Sequence, residues 1–345
     1  MLASHCLSSG MQAEAAFIRR KEISRMNYFI TGGLGFVGRH LSDCLLNEGN
    51  RVTAVGLRPN PKLIEHSNFR YIAADTTKTG AWQDELRGQQ VIVNLAGKSI
   101  FKRWTEDYKK QIYDSRILTT RNLVDALPED PRIIFCSTSA VGFYGSRGDD
   151  VLTEESTPGE DFLSKVGKDW EWEALKAQNK GVRVVVPRFG IVLDRDGGAM
   201  NKMIPAFRFY LGGPLGNGRQ WFPWIHMHDL VYAYRFIVAK PQVSGPVNFC
   251  APNPVRNLEL VAALGQALNR PTFMPAPAFL IKLLLGEFGR SLLSSQRAVP
   301  EKLQNTGYRF TYPDIKSAVN EIVKHGQNSS TADSNRTIHE DAEKV

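Results

Sequence analysis

Cysteine is scarce in this chain, and the few cysteines are widely separated. Cys6, Cys44, Cys136 and Cys250 form no C-x-x-C pair. Disulfide frameworks and zinc sites need cysteines at close, repeated spacings, so the pattern argues against both and favours a reducing compartment, which we expect to be the cytoplasm. Cys136 and Cys250 lie in apolar runs and are predicted to be small core residues.

Long apolar runs are absent as well. A membrane-spanning helix needs about 20 apolar residues in succession. The most apolar late stretch, Phe279 to Leu285, is much shorter and is interrupted by Lys282. We therefore expect no membrane span, and we predict that this stretch forms a buried helix.

No block of like charge dominates the sequence. The formal net charge is +8, and the basic residues are scattered, with only short clusters such as 19–21 and 109–110. Because nucleic-acid binding usually needs a basic stripe or an aromatic platform, we expect no nucleic-acid partner. Anionic nucleotide ligands suit the positive sign equally well.

The two ends of the chain lack the patterns of helices and strands. Residues 1–25 carry serines and basic residues with only Glu14 and Glu22 acidic, which suggests a disordered leader or a mis-assigned start with Met26 as the true first residue. A transit peptide is the alternative, and it would place the protein in the plastid stroma. Residues 325–345 are polar and free of aromatics, so we expect a disordered tail.

The stretch Tyr28-Phe-Ile-Thr-Gly-Gly-Leu-Gly-Phe-Val-Gly38 is the most informative part of the chain. An apolar strand leads into glycines at G-x-G-x-x-G spacing (Gly33, Gly35 and Gly38), and residues 39–48 have the pattern of a helix. In this context the glycines let bare backbone approach a pyrophosphate, and the helix amino terminus presents free N–H groups to it. The alternative is a glycine-rich turn that binds nothing.

Strand and helix patterns alternate down the chain. Predicted strands cover 51–56, 69–73, 91–95, 132–137 and 182–186, and predicted helices cover 109–126 and 162–178. This alternation indicates an α/β protein with a Rossmann-type, doubly wound parallel sheet. We assign residues 26–195 to this dinucleotide-binding domain and 196–324 to a smaller, substrate-binding C-terminal region. Within that region, 224–229 and 246–251 are expected to add strands to the main sheet.

Residues beyond the strand ends suggest which dinucleotide binds. NAD-binding sheets usually carry an acidic residue after the second strand, whereas this chain has Arg58 there. A guanidinium can hold a 2′-phosphate in bidentate fashion, so we predict NADP as the cofactor; a surface arginine is the alternative. Asp75 could accept a hydrogen bond from the adenine amino group or cap a turn. Leu95, Ala96 and Gly97 could let backbone lie against the adenosine ribose and pyrophosphate.

Several motifs together resemble the extended short-chain dehydrogenase/reductases. The resembling segments are Thr31-Gly-Gly-Leu-Gly-Phe-Val-Gly38, Asn94-Leu-Ala-Gly97, Ser137-Thr-Ser-Ala-Val-Gly-Phe-Tyr-Gly145, Pro187-Arg-Phe-Gly-Ile-Val-Leu193 and 216–230. Lys102-Arg-Trp104 and Phe222-Pro-Trp-Ile-His226 are similar to a narrower, atypical group, the NADP-binding "epimerase family" proteins related to NAD-dependent epimerase/dehydratases. The resemblance implies cofactor contacts at Gly32, Gly33, Gly35, Phe36, Val37, Gly38, Leu57, Arg58, Leu95, Ala96, Gln111, Arg116 and Arg188. Arg116 could equally be an exposed helix arginine.

The resemblance also exposes a gap in the chemistry. Related reductases and epimerases use a Tyr-x-x-x-Lys pair on a helix, together with a serine, to move a proton as hydride is transferred. Here the helix contains no tyrosine, and the pair becomes Asp161…Lys165 or Ser164…Lys168. The candidate catalytic residues are Ser139, at the position of the family's serine, Tyr144 and Lys165. Ser139 could instead cap a turn, and Tyr144 could instead pack in the core.

The C-terminal region offers further candidate side chains. His226 and His228 flank Met227 in a predicted strand, where they would share one face and could form a metal pair with Asp229. Because no third ligand group is evident, we predict no metal site and favour core histidines with an aspartate that starts the next helix. A substrate cleft could be lined by four nearby residues, which could equally belong to core and rim: Arg219, Gln220, Trp221 and Trp224.

Two functions follow from these patterns. The first is an NADP-dependent oxidoreductase or epimerase that acts on a small polar metabolite, for example a nucleotide- or sugar-linked one, with Ser139 polarising the reacting oxygen. The second is a non-catalytic NADP(H)-binding regulatory protein. The resemblance supports this second class, because some family members are labelled cell-division inhibitors or plastid-division factors. The sequence leaves the oligomeric state open.

Overall fold

The computed structural model describes residues 25–59 and 63–324. The expectations for residues 1–24 and for the tail 325–345 lie outside this range. The strands in the described residues are, in chain order, β1 (Asn27–Thr31), β2 (Arg51–Gly56), β3 (Phe69–Ala73), β4 (Val91–Asn94), β5 (Ile134–Ser137), β6 (Ser139–Ala140), β7 (Val151–Leu152), β8 (Arg183–Phe189), β9 (Ile191–Asp194), β10 (Gly197–Gly198), β11 (Trp221–Phe222), β12 (Trp224–His226), β13 (Gly245–Phe249), β14 (Val255–Arg256) and β15 (Arg297–Ala298). The α-helices are α1 (Phe36–Asn47), α2 (Glu106–Ala126), α3 (Phe162–Leu175), α4 (Met200–Arg208), α5 (Met227–Ala239), α6 (Asn257–Leu268), α7 (Ala278–Leu285), α8 (Glu287–Leu292) and α9 (Glu301–Asn305), and residues 315–324 are also helical.

Seven strands form one parallel sheet in the order β13-β8-β5-β4-β1-β2-β3, and β6 adds a short parallel pairing with β8. The chain runs outward from β1 to β3 and then crosses back to β4, so the strand order reverses beside β1. In open parallel sheets, ligands bind at such a reversal, beyond the carboxyl ends of the strands. The predicted Rossmann-type, doubly wound parallel sheet is therefore confirmed, and β2 and β3 have the predicted bounds.

Helices cover both faces of the sheet. Successive strand residues point to opposite faces, so Ile30 packs in the cluster that contains Leu41 of α1 and Leu230 of α5. Its neighbour Phe29 packs in the other cluster, with Leu123 of α2. Because both faces are buried, the central strands β4 and β5 are apolar almost throughout and are fully covered.

The C-terminal region contributes one strand to the main sheet. β13 pairs in parallel with β8 and extends the sheet at that edge. The prediction that residues 224–229 add a second strand was wrong. β12 pairs instead with β9, in a separate three-stranded sheet that also contains β10. The chain changes sheets at Gly190: its N–H still donates to Phe249 of β13 at 2.9 Å, whereas the next N–H, that of Ile191, donates to the Pro223 carbonyl at 2.7 Å and starts the pairing with β12.

One predicted core helix lies at the surface. α7 is apolar at every position except Lys282, and the sequence predicts that it is buried. In the structure only Ile281 of this helix is buried, whereas Phe279, Leu283 and Leu284 are each about two-thirds exposed, at 68%, 69% and 66%. The prediction was wrong because hydrophobicity alone does not show whether a neighbouring element covers a helix.

Candidate functional site

The glycine loop between β1 and α1 is closed so tightly that side chains would not fit. A Cβ on Gly38 would lie 2.2 Å from the Gly32 carbonyl oxygen, and one on Gly33 would lie 2.6 Å from the Ala54 methyl carbon. Gly32 has a φ of +68°, a conformation that favours glycine. The Gly35 N–H donates to the Gly32 carbonyl at 2.8 Å and closes the turn. These contacts explain the glycine spacing without reference to any ligand.

The amino terminus of α1 opens beyond this loop. Gly35 is the N-cap, and within the described residues no side chain caps the helix and no acidic residue lies in its first turn. The first N–H groups of a helix have no intrahelical partner and carry a partial positive charge. They belong here to Phe36, Val37 and Gly38. Phe36 also packs on the backbone of β10, because a Cβ on Gly197 would lie 2.3 Å from its ring. The C-terminal region thus braces the loop.

The segment after β4 lies directly against the glycine loop. A Cβ on Gly32 would lie 3.0 Å from the Leu95 carbonyl oxygen and 3.2 Å from the Ala96 nitrogen. Below them Asn94 is fully buried, accepts from the Thr31 hydroxyl at 2.7 Å and donates to Thr120 at 2.8 Å. This hydrogen-bond network holds the ends of β1 and β4 in register, so that two of the predicted cofactor segments form one continuous surface.

The end of β2 lies beside the same loop. The Gly32 N–H donates to the Val55 carbonyl at 2.7 Å, and Leu57 and Arg58 follow immediately and are exposed. The Tyr71 hydroxyl donates to the Arg58 carbonyl at 2.8 Å, which anchors the backbone and leaves the side chain at the surface. A guanidinium at this position can reach a phosphate that projects from the edge, while a surface arginine remains the alternative.

Asp75 caps a turn in this structure. Its Oδ1 accepts from the Thr77 N–H at 3.1 Å and from the Thr77 hydroxyl at 2.6 Å. This is the structural role that the sequence left open for it. A contact between the adenine amino group and the second carboxylate oxygen stays a prediction.

Arg116 on α2 packs under the strand end. Its guanidinium donates to the carbonyls of Lys98 and Ile112, both at 3.0 Å, and a Cβ on Gly97 would lie 3.1 Å from the guanidinium carbon. Burial lowers the pKa of Arg116 to about 10. The side chain is therefore not the exposed helix arginine that the sequence allowed, and it holds the Gly97 segment in place. Gln111, five residues earlier on α2, is exposed.

Ser139, Tyr144 and Arg188 meet in one buried polar network. Arg188 forms a bidentate ion pair with Glu171, with both N···O distances at 2.8 Å, and donates to the Tyr144 hydroxyl at 2.9 Å. The Ser139 hydroxyl donates to the same Glu171 carboxylate at 2.7 Å. The Tyr144 hydroxyl donates to Asn248 at 2.6 Å, and burial raises the pKa of Tyr144 above its usual value.

The network gives these three side chains structural partners. Ser139, Tyr144 and Arg188 are each at most 3% exposed, so each would have to give up a hydrogen bond and become accessible to touch a nucleotide or substrate. The cofactor contact of Arg188 and the catalytic roles of Ser139 and Tyr144 stay predictions, and the buried geometry disfavours them.

The rotation of α3 decides which of its residues face the sheet end. A Cβ on Gly142 would lie 3.4 Å from the Leu163 Cβ, and one on Gly167 would lie 3.2 Å from the Phe143 Cα. Leu163 and Gly167, four residues apart, therefore stand against the turn that follows β6. Lys165 is exposed on the opposite face of α3. Trp172, two helical turns further on, is exposed on the same face as Lys165. The sequence allowed two registers for the catalytic pair, one with Lys165 and one with Lys168. Both lysines are exposed, and neither faces this turn.

His226 and His228 are not neighbours on a strand face, which corrects the predicted alternation. His226 ends β12 and caps α5: its Nδ1 accepts from the His228 N–H at 3.2 Å, and its Nε2 lies 2.8 Å from Glu321. Asp229 accepts from the N–H groups of Thr311 and Tyr312, both at 2.8 Å. Among the described residues, no group of three or more His, Cys, Asp or Glu side chains is arranged to hold a metal ion.

A cluster of arginines surrounds Trp221, one of the residues predicted for a substrate cleft. The guanidinium carbons of Arg256 and Arg297 lie 4.5 Å and 4.6 Å from the Trp221 ring centre. Asp149 accepts from the Trp221 indole N–H at 2.7 Å and from Arg256 at 2.9 Å. The sequence did not point to Arg256 and Arg297, because they come from distant segments that only the fold brings together.

The other three predicted cleft residues divide between surface and core. Arg219 is exposed, Gln220 is buried and donates to the Leu215 carbonyl at 3.0 Å, and Trp224 is fully buried. Trp224 is thus a core residue, and Trp221 is the aromatic side chain of this set that remains partly accessible.

The fold and the glycine loop together are those of the Rossmann-type short-chain dehydrogenases/reductases. The family model described as the NAD dependent epimerase/dehydratase family matches residues 28–249, and the chain belongs to this family. A second model, a domain of unknown function (DUF1731), matches residues 276–322. Within the described residues, no helix is long and apolar enough to cross a membrane.

Similar proteins come from plants, animals and bacteria. "Epimerase family protein SDR39U1 homolog, chloroplastic" from Arabidopsis thaliana is 38% identical over 87% of this chain and 88% of its own length. The crystal structure of the human epimerase family protein SDR39U1 with NADPH matches with a TM-score of 0.77 and 32% identity, over 87% of this chain and 99% of the human one. The nucleoside-diphosphate sugar epimerase from Corynebacterium glutamicum matches with a TM-score of 0.67 and 31% identity, over 93% of this chain and 68% of that one.

Proposed function

We propose that this protein binds NADP(H) at the edge formed by the glycine loop, the end of β2 and the segment after β4. The observation that carries the proposal is the close approach of Gly38 to Gly32, which brings the amino terminus of α1 to the end of β1. No side chain of the described residues caps this terminus, so its N–H groups are available to a pyrophosphate. Arg58 then supplies a positive charge where an NAD-specific sheet would carry an acidic one. The human relative that was crystallised with NADPH supports the choice of the phosphorylated form.

The test is the affinity of the Arg58→Ala variant for the two dinucleotides. A charge-assisted hydrogen-bond pair to the 2′-phosphate contributes roughly 1.5–3 kcal/mol, so NADPH affinity should fall about tenfold to a hundredfold while NADH affinity stays the same. Titration calorimetry measures both. Arg87→Ala is the matched control, because Arg87 is a well-exposed arginine of the same domain. An unchanged NADPH-to-NADH ratio in Arg58→Ala would remove the cofactor argument.

The geometry supports a protein that binds the dinucleotide without catalysis better than it supports an enzyme. Leu163 and Gly167 stand against the turn that follows β6, and neither side chain can move a proton. The Ser164 hydroxyl lies beside the same turn and donates to the Gly142 carbonyl at 3.1 Å. The Ser139 hydroxyl is engaged by Glu171. We therefore favour a non-catalytic, NADP(H)-binding regulatory protein as the function.

An enzyme is the second candidate, and the Arg256–Trp221–Arg297 cluster favours it. Two guanidinium groups on an aromatic ring suit a substrate that carries an anionic group and a planar ring, as a nucleotide-linked sugar does. Asp149, which joins Trp221 and Arg256, lies on the loop that follows the turn after β6.

Turnover separates the two functions. Purified protein should bind NADPH and show no NADPH oxidation with carbonyl compounds and no epimerisation of nucleoside-diphosphate sugars. Turnover that Ser139→Ala abolishes and that Arg297→Gln weakens through KM would establish the enzyme instead. Folding of both variants would be checked by circular dichroism, because Ser139 is buried.

A further inference from the structure

The exposed side of α7 is part of a larger apolar surface. We call it the apolar face and define it by Phe209, Tyr210, Leu211, Phe273, Met274, Phe279, Leu280, Leu283 and Leu284. These residues are 39% to 76% exposed, and they are nine of the sixteen exposed large hydrophobic residues in the described part of the chain. Monomeric proteins rarely expose contiguous apolar surface on this scale without a function for it.

Backbone contacts make this face continuous. The segment after α4 pairs with the segment before α7: Leu215 bridges Ala276, and the Gly216 N–H donates to the Ala276 carbonyl at 2.8 Å. A Cβ on Gly213 would lie 1.9 Å from the Met274 carbonyl oxygen, so the two segments touch. The two segments that carry the apolar residues are thus adjacent in the fold.

The elements that carry the apolar face also carry basic side chains. Residues 201–300 contain ten Lys and Arg but only three acidic residues, so most of the excess positive charge of the chain lies in this part. Lys282 is exposed on α7 itself, Arg208 ends α4, and the Arg270 guanidinium lies 4.8 Å from the Tyr210 ring centre. Three positive charges thus accompany the apolar side chains, while Glu287, two residues after α7, is paired with Lys109 at 2.9 Å.

We propose that the apolar face docks on the surface of an anionic lipid bilayer, with α7 lying in the plane of the interface. Phe and Leu side chains enter the boundary between headgroups and acyl chains, while Lys282, Arg208 and Arg270 contact anionic headgroups. At eight residues α7 is too short to span, so docking is peripheral.

A second copy of this chain fits the face less well. A twofold interface brings the same patch of both subunits together, which would place the basic residues of one copy against those of the other. A bilayer supplies the opposite charge and needs no complementary shape. Self-association is therefore treated as a competing outcome of the test.

Docking would hold the dinucleotide edge close to the membrane. α8 follows α7 after one glycine, and Phe288 on α8 packs on Trp104 with ring centres 5.7 Å apart and on Phe101 at 5.9 Å. These two aromatics belong to the segment that continues from the end of β4. α7 is thus linked through α8 to the segment that follows β4.

Vesicle flotation with the full-length protein tests the proposal. The protein should float with vesicles of phosphatidylcholine and phosphatidylglycerol, weakly or not at all with phosphatidylcholine alone, and less as salt is raised. The Phe279→Ser/Leu283→Ser double variant should bind at least about tenfold more weakly, since two large apolar side chains no longer enter the interface. Lys282→Gln should weaken binding about fivefold, the loss expected for one basic residue near an anionic surface.

Trp172→Ser is the matched control, because Trp172 is an exposed aromatic on α3, outside the apolar face. Its flotation should equal that of the wild type, and circular dichroism should show all variants folded. If the double variant fails to fold, Lys282→Gln carries the test. Absence of flotation with anionic vesicles, or equal flotation of all variants, would overturn the proposal. So would a wild-type dimer in light scattering that the double variant converts to a monomer.

Discussion

At the scale of single residues, the lack of a Cβ at Gly38 allows the close packing that shapes the site. Its Cα lies so close to the glycine loop that an added Cβ would meet the Gly32 oxygen at 2.2 Å and the Gly33 Cα at 2.7 Å. Both neighbours are backbone, which cannot move aside as a flexible side chain can. The close approach is also what brings the α1 amino terminus to the end of β1.

Gly38→Ala should therefore lower both stability and dinucleotide affinity. Forcing a methyl group into a tightly packed site typically lowers the free energy of unfolding by about 2 kcal/mol. Urea denaturation and an NADPH titration measure the two effects. Gly80→Ala is the control, because a Cβ there meets nothing closer than 3.7 Å and the backbone is extended. Equal behaviour of the two variants would contradict the packing argument.

His226 is a second residue whose surroundings set its chemistry. Burial lowers the pKa of His226 below its usual value, against the opposing effect of its hydrogen bond to Glu321. The Nδ1 atom accepts from the His228 N–H, so the neutral ring with a proton on Nε2 fits both contacts. A second proton on Nδ1 would remove the cap of α5.

The stability of the protein should therefore fall on acidification through this histidine. Because the pKa is lower in the folded than in the unfolded state, the contribution is fully present above the unfolded pKa of about 6.5 and is lost as the pH falls below it toward the folded pKa. The free energy of unfolding should drop more between about pH 7.5 and about pH 5.5 in the wild type than in His226→Asn, whose side chain can still cap α5. Identical pH dependence of both proteins would refute this.

At the scale of elements, the Glu171–Arg188 ion pair joins α3 to β8. Both side chains are almost completely buried, at 6% and 4% exposed, and the pair also holds Ser139 and Tyr144. A buried pair of this kind is weak evidence for stability as such, since desolvating two charges offsets much of their attraction. Removal of one partner is different, because it leaves an uncompensated charge in the core.

Glu171→Ala should destabilise the protein by about 3–5 kcal/mol. Chemical denaturation measures this, with Glu85→Ala as the control, since the partly exposed Arg70–Glu85 pair contributes less than about 1 kcal/mol. If Glu171→Ala does not fold, the Glu171→Leu/Arg188→Met double variant should recover stability by removing both charges. A loss in Glu171→Ala no larger than in Glu85→Ala would show that the pair is not desolvated as the structure indicates.

At the scale of the whole molecule, the two regions share one core. Leu41 and Leu45 of α1 pack in the same cluster as Leu230 and Val231 of α5. β13 belongs to the main sheet although it comes from the C-terminal region. The predicted boundary near residue 195 therefore does not coincide with a break in packing.

Unfolding should accordingly be a single transition. Circular dichroism of the helices and tryptophan fluorescence, which reports on Trp82 in one region and Trp224 in the other, should give coincident curves. NADPH at 100 times its dissociation constant should shift both curves together by about 2.7 kcal/mol. Two separated steps, only one of them sensitive to NADPH, would show that the regions unfold independently.

Local patterns in the sequence were sufficient for most strands of the main sheet and for the glycine loop, but not for the short strands of the small sheets. β2 and β3 were predicted with their observed bounds, and the loop was predicted from the glycines, because a strand, a tight turn and a helix start each depend on neighbouring residues. Arg58 was predicted for the same reason, since its place follows from the length of β2. The rotation of α3 could not be predicted, because a helix period does not say which face a partner will cover.

The sequence by itself determined the alternation of strands and helices that indicates a parallel, Rossmann-type sheet, and the glycine spacing of the turn before α1, since both are patterns of residues close in the chain. Only the tertiary structure decided that Ser139 and Arg188 share Glu171, that Arg256 and Arg297 meet at Trp221, and that α7 lies uncovered. Those outcomes depend on which distant segments fill the space around each side chain, and hydrophobic periodicity carries no information about that.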